Sequence, residues 1–299
     1  MSGGGATGSV PAARRVGTSG TRGAASPAAG SESPPRVHVE AVGAGRPLVL
    51  LHGYAMHGGL FAPILPELAA RRRVHVPDLP GHGHSAPLSP LSLDAIVAAL
   101  DDALADVASP LDVLGWSLGG AVAMRWAASR PQRIGRLVLV ATTPSFVVRD
   151  GWPHAVRDET LARFGDELRV AYRLTLQRFL TLQTQGSEGG RATLAAMRHR
   201  LFERGEPTAE ALEQSLALLR SVDLRAEVPS IRARTLVVAG ARDALAPRAA
   251  QAWLAGALPN ATFDEMAGAA HAPFLSHRER FVEAVSSFLD RDPPAVHAR

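Results

Sequence analysis

Ser117 stands between two glycines in Gly115-Trp116-Ser117-Leu118-Gly119, directly after the apolar run Leu111-Asp112-Val113-Leu114 and before a helical run opening at Gly120. A serine so placed has the form of a nucleophile elbow, a strand-to-helix turn too tight for bulk on either side of the serine. Such a turn lifts the hydroxyl out of the fold, ready to attack an acyl carbon. It also aims the Leu118 N–H, at the start of a helix, toward the oxygen that turns negative in a tetrahedral intermediate.

A serine nucleophile needs a general base, and the base needs an acid to hold its ring in one tautomer. Two later loops offer them in the chain order that goes with an elbow serine. Asp243 lies in Gly240-Ala241-Arg242-Asp243-Ala244-Leu245-Ala246-Pro247, and His271 in Gly268-Ala269-Ala270-His271-Ala272-Pro273-Phe274. The interval between them accommodates one helix and one strand. Taken singly, Asp243 reads equally as a helix N-cap ahead of Arg248, and His271 as a surface loop histidine. Their order behind the elbow favours acid and base.

The second oxyanion donor is expected in the loop after an early strand. Leu51-His52-Gly53-Tyr54 ends such a strand, and Gly53 allows the Tyr54 amide to face Ser117. His52 reads as a brace for this loop, because His271 meets the requirement for a base better. Asp78-Leu79-Pro80-Gly81-His82-Gly83-His84-Ser85 places two histidines near an acid. No further ligand cluster follows at metal spacing, so it reads as a glycine-rich turn, and neither a metal nor a cofactor is expected.

The elements that must position these residues alternate as strands and helices of a parallel sheet. Strands are expected at 47–51, 73–76, 111–114, 136–141, 235–240 and 261–266, with helices at 61–71, 93–107, 120–130, 248–258 and 278–289. Between about 144 and 222 only helical patterns occur. The fold class is therefore α/β, a mostly parallel central sheet flanked by helices, with a helical cap inserted between its two halves. The core would comprise residues 36–143 and 223–291, and the cap 144–222.

With 299 residues, 46% hydrophobic and 20% charged, the chain can bury one sizeable core. It contains no cysteine, which excludes thiol catalysis, disulfides and cysteine-ligated zinc. Every basic residue is arginine, so the high isoelectric point reflects arginine's pKa more than charge excess; the formal net charge is only +4. With no aromatic-and-basic RNA motif, nucleic acid is not an expected partner. Residues 1–35 are rich in glycine, alanine, serine, proline and arginine and are expected to be a disordered tail, with an organellar transit peptide as the alternative. Residues 292–299 form a second tail. No apolar run approaches a membrane span, so a cytoplasmic monomer is expected.

In these motifs the chain resembles the α/β-hydrolases and, among them, the family of pimeloyl-[acyl-carrier protein] methyl ester carboxylesterases of biotin synthesis. The resemblance runs from about Pro47 to Leu289. Beyond Gly115-Trp116-Ser117-Leu118-Gly119-Gly120 it rests on cap text: Pro144-Ser145-Phe146, Arg149-Asp150-Gly151-Trp152-Pro153 and Arg178-Phe179-Leu180-Thr181-Leu182-Gln183-Thr184. Val222-Asp223-Leu224-Arg225 and His271-Ala272-Pro273-Phe274-Leu275-Ser276-His277 agree as well. The resemblance implies a serine carboxylesterase that removes the methyl ester from a pimeloyl chain still attached to its acyl carrier protein. A general carboxylesterase or acyltransferase shares the same triad, and a non-catalytic binding protein on this fold is a more distant reading.

From Leu168 to Phe202 the cap carries Arg169, Arg173, Arg178, Arg191, Arg198 and Arg200 against one acid, Glu188. These arginines read equally as a solvated face or as a grip for an acidic carrier protein and its phosphopantetheine arm. The resemblance implies an arginine docking cluster here, matched at Arg178 and Arg191, with Arg173, Arg198 or Arg200 as neighbours. It departs at Leu174 and Ala195. Tyr54, Trp116, Leu118, Phe146 and Phe179 are expected to line the substrate site; as core residues the aromatics would look the same.

Overall fold

In a computed structural model of the protein, the described residues are Met1 and 36–291. Apart from Met1, the tails expected at 1–35 and 292–299 lie outside them. The strands are β1 (Val39–Val42), β2 (Arg46–Leu51), β3 (Arg72–Pro77), β4 (Leu111–Trp116), β5 (Ile134–Val140), β6 (Arg234–Gly240) and β7 (Ala261–Met266). They form one sheet in the order β1-β3-β2-β4-β5-β6-β7, parallel throughout except for the antiparallel edge strand β1. The central strands are apolar runs because helices cover both faces; all six residues of β4 are buried.

The covering helices are α1 (Leu65–Ala69), α2 (Leu93–Ala103), α3 (Leu118–Ser129), α7 (Arg248–Ala257), α8 (Pro273–Ser276) and α9 (Arg278–Asp290). Between β5 and β6 the chain leaves the sheet for α4 (Asp158–Thr184), α5 (Gly190–Arg200) and α6 (Ala209–Ser221), the helical cap. The expected helix at 61–71 is instead a 3-10 segment, Gly58–Ile64, followed by the short α1. Pro63 and Pro66 account for the break, since neither can donate the backbone bond that a continuous helix needs. The sequence reading also missed β1, where a mostly exposed edge strand lacks an apolar run.

Within the sheet, at the end of β4 opposite Ser117, the buried Asp112 carboxylate meets Arg72 at 2.8 Å, Arg46 at 3.1 Å and Arg136 at 3.5 Å. Burial still holds its carboxyl above the ordinary range, against the pull of these arginines. The cluster ties β2, β3, β4 and β5 together at their entry ends. The cap stem is held by the Leu224 N–H donating to the Pro144 carbonyl at 2.8 Å, and the far end of α4 by the Glu188 N–H donating to the Gly268 carbonyl at 2.9 Å.

Candidate active site

Ser117 sits where β4 turns into α3, with φ +55° and ψ −118°. A non-glycine residue pays about 1–3 kcal/mol for such a conformation, which the surroundings must impose. Here they do: the Ser117 N–H donates to the Val140 carbonyl at 3.0 Å, and the Ser117 carbonyl accepts from the Thr142 hydroxyl at 2.7 Å. The glycine spacing is a packing demand. A Cβ at Gly119 would collide with the Leu51 carbonyl, and one at Gly115 with the Gly119 carbonyl.

The loop after β7 brings His271 to this turn. The Trp116 indole N–H donates to the His271 carbonyl at 2.7 Å, and the two rings lie 5.6 Å apart. His271 is buried, which removes the surface-loop reading. Its Nδ1–H donates to Asp243 Oδ2 at 2.9 Å, while Asp243 Oδ1 accepts from the Leu245 and Ala246 N–H groups at 2.8 and 3.0 Å. Asp243 does not cap α7, whose N-cap is Pro247. With Nδ1 carrying the proton, Nε2 is the nitrogen left to accept one. No hydrogen bond joins it to the Ser117 hydroxyl in this structure, and in resting hydrolases that bond is often long and tightens only with substrate.

Gly53 packs against the elbow so closely that a Cβ there would lie 3.1 Å from that of Ser117. The following Tyr54 N–H and the Leu118 N–H that opens α3 donate to no carbonyl among the described residues. His52 braces this loop: its Nε2 accepts the Leu79 N–H at 2.8 Å, so its Nδ1–H donates to the Gly53 carbonyl at 2.9 Å. Burial, with His82 beside it, pushes the His52 imidazole down to about 3 and keeps it neutral.

Tyr54 meets the cap aromatics edge-on, 5.8 Å from Phe179 and 6.0 Å from Phe164, which lie 5.2 Å from each other. Phe146 is buried in the core and makes no ring contact with this group. Sequence reasoning passed over Phe164 and also Gln183. The Gln183 carbonyl accepts the His271 N–H at 3.1 Å, and its buried Oε1 has no partner. Only a polar residue at a buried helix position signals it in the sequence.

The cap arginines are less naked than their local tally suggests. Arg173 pairs with Glu206 and lies over the Phe202 ring, Arg169 binds Asp166 and Glu213, and Arg178 approaches Glu167 at 3.8 Å. Arg200 reaches Glu203, and Arg198 reaches the Thr181 hydroxyl at 3.4 Å. These acids come from outside the segment 168–202. Arg191 lines a surface hollow with Thr181, Gly189 and Leu194. Near the glycine-rich turn, His38 from before β1 brings a potential ligand atom within 4.8 Å of those of Asp78 and His84. The Asp78 carboxylate is already bound by the Arg204 guanidinium at 3.2 Å. Among the described residues no helix is long and apolar enough to cross a membrane.

Residues 48–284 match the model of the alpha/beta hydrolase family. The chain belongs to that family. This α/β hydrolase is 45% identical over 258 residues to the pimeloyl-[acyl-carrier protein] methyl ester esterase of Xanthomonas axonopodis pv. citri, covering 86% of this chain and all of that protein. It is 43% identical over 252 residues to the enzyme of the same name from Chromobacterium violaceum, covering 84% of this chain and 97% of that one. Among solved structures, an esterase from Exiguobacterium antarcticum shares the fold with a TM-score of 0.77 at 21% identity, covering 85% of this chain and 96% of that chain. A hydrolase from Pseudomonas aeruginosa superposes with a TM-score of 0.70 at 27% identity, covering 85% and 94%.

Proposed function

We propose that this α/β hydrolase is a serine carboxylesterase that removes the methyl ester from pimeloyl-acyl carrier protein, releasing methanol and leaving the acyl chain on its carrier. The observation that carries the substrate is the 45% identity that extends over the whole length of a relative bearing that name, cap included. In this reading the enzyme acts in the cytoplasm and as a monomer.

Ser117 is the nucleophile. His271 Nε2 takes its proton as the oxygen attacks the ester carbonyl, and Asp243 holds the ring and stabilises the imidazolium that forms. The Tyr54 and Leu118 N–H groups receive the oxyanion; each fixed donor of this kind accounts for about 10²–10³ in rate. His271 then protonates the departing methoxide. Water, deprotonated by the same nitrogen, cleaves the acyl-enzyme and restores Ser117. Trp116 and Phe179 bound the apolar path of the acyl chain, and Arg173, Arg178, Arg191 and Arg198 offer the acidic carrier a basic face. The fixed tautomer of His271, set by the 2.9 Å bond to Asp243, supports the catalytic half of this reading.

The deciding experiment is incubation of the full chain with pimeloyl-carrier-protein methyl ester and mass analysis of the products. Loss of the methyl group with the thioester retained is expected. Thioester cleavage, or no reaction beside brisk hydrolysis of a p-nitrophenyl ester, would return the protein to the general esterases.

A further inference from the structure

Apart from the Ser117 site and the Asp112 cluster, one fully buried carboxylate gathers contacts from several separate segments. Asp78, just past β3, accepts the Gly58 N–H on Oδ1 at 2.7 Å and the His84 N–H on Oδ2 at 2.9 Å. The Arg204 guanidinium lies 3.2 Å from both oxygens and also holds Glu40 on β1. Arg204 belongs to the cap, in the turn that follows α5. Its side chain is only 10% exposed, so this is a desolvated pair rather than a surface ornament.

Gly58 belongs to the loop that carries Gly53 and Tyr54, and the same strand end grips that loop twice. His52 accepts the Leu79 N–H at one end of the loop, and Asp78 accepts the Gly58 N–H at the other. The cap touches the loop directly as well. The Gly59 N–H donates to His57 Nδ1 at 3.1 Å, so His57 Nε2–H donates to the Arg200 carbonyl at 2.6 Å. The Arg200 guanidinium donates to the Gly59 carbonyl at 3.2 Å, and the Tyr54 hydroxyl to the Leu212 carbonyl at 3.3 Å. Meanwhile Ser117 and His271 are both buried, 8% and 3% exposed, and the cap reaches this site through Gln183, whose carbonyl accepts the His271 N–H.

We propose that Arg204 is a positioning residue that makes the geometry of the oxyanion loop depend on the seating of the cap. Seated, Arg204 neutralises Asp78, Asp78 holds Gly58, and the Tyr54 N–H is held facing Ser117. When the cap lifts, Asp78 loses its countercharge and the loop loses its bonds to Arg200. The hole is completed only when the cap has closed over bound substrate, which couples entry to catalytic competence. The proposal rests on the esterase reading but not on the identity of the acyl carrier.

A clamp that merely stabilised the fold would alter melting and leave the selectivity for tetrahedral ligands unchanged. The test therefore compares wild type, Arg204→Met and Arg204→Lys as full chains. It measures kcat and KM on p-nitrophenyl acetate, and affinity for a trifluoromethyl ketone, which forms a tetrahedral adduct, against that for the matching ground-state amide. A misplaced donor costs up to about 10²-fold. Arg204→Met is expected to lower kcat about 10- to 100-fold with KM within about twofold, and to weaken the ketone by a similar factor while sparing the amide. Arg204→Lys should recover most of the loss. Folded Arg204→Met with wild-type kcat, or with ketone and amide weakened alike, overturns the proposal. Should Arg204→Met not fold, Glu40→Gln removes the second partner of Arg204 and weakens its seating on Asp78; it should show the same selective weakening at about 2- to 5-fold, and unchanged kinetics overturn the proposal. Brisk turnover of the small ester with none of the carrier-bound ester would sink the substrate reading and leave this test standing.

Discussion

Replacing Asp243 with asparagine is the sharpest probe of the site, because the two carboxylate oxygens serve different partners. Oδ1 accepts two backbone N–H groups, from Leu245 and Ala246, whose positions are fixed by the loop. An asparagine must therefore place its carbonyl there and turn its NH₂ toward His271. That group cannot accept the Nδ1 proton now donated at 2.9 Å. The imidazole shifts its proton to Nε2, the atom that must receive the proton of Ser117. Loss of the right tautomer costs about 10⁴ in kcat in serine hydrolases of this type, or about 5 kcal/mol of barrier. The change to stability is far smaller: trading a charge-assisted bond for a neutral one costs about 1–2 kcal/mol, a fall in Tm of less than about 8 °C. The assay is hydrolysis of p-nitrophenyl acetate with a parallel thermal melt, and Ser117→Ala, expected to lose about 10⁴- to 10⁶-fold, sets the floor. Asp243→Ala imposes no tautomer, so the near-isosteric asparagine should be no more active than alanine. An asparagine variant within tenfold of wild type would falsify the assigned roles of Asp243 and His271.

Acid should weaken the fold through His52. Its imidazole is held down to about 3 by burial and the neighbouring His82, whereas in the unfolded chain it titrates near its ordinary value of about 6.5. The unfolded state then binds a proton that the native state refuses, so this contribution, complete above pH 6.5, is lost at about 1.4 kcal/mol per pH unit, or about 2 kcal/mol by pH 5. Urea melts at pH 7 and pH 5 should show that loss, and a His52→Gln variant a shallower one; equal slopes would rule out the assignment. For the carrier, Arg178→Glu with Arg191→Glu should raise KM for the carrier-bound ester about tenfold and barely alter p-nitrophenyl acetate, with added salt acting in the same direction. Equal effects on both substrates would remove these arginines from docking.

The motifs of the candidate site were legible because their demands are local. Gly119 must be glycine because the Leu51 carbonyl sits where its Cβ would be, and that pressure leaves its mark within five residues of sequence. The central strands were legible for a similar reason: helices on both faces leave β4 almost no polar side, so burial is written as an apolar run broken only by Asp112, which three arginines meet. The edge strand β1 has no such constraint, and its exposed pattern hid it. The charge of the cap misled a local count because Glu206 and Glu213, which pair with Arg173 and Arg169, lie beyond the segment counted.

By itself, then, the sequence determined the alternation of strands and helices, the place of the inserted cap, and which serine, acid and histidine stand in the order a serine hydrolase needs. Each of these follows from spacing along a single stretch of chain or from the order of motifs. Only the tertiary structure decided that Asp243 Oδ2 meets His271 Nδ1, that the Gln183 carbonyl takes the His271 N–H, and that Arg204 reaches Asp78 across 126 positions. Those contacts join residues to partners on other elements, and their energy depends on the desolvation and direction that packing imposes. Linear spacing carries neither quantity, so they become visible only when the sheet brings the loops together and the cap is set over them.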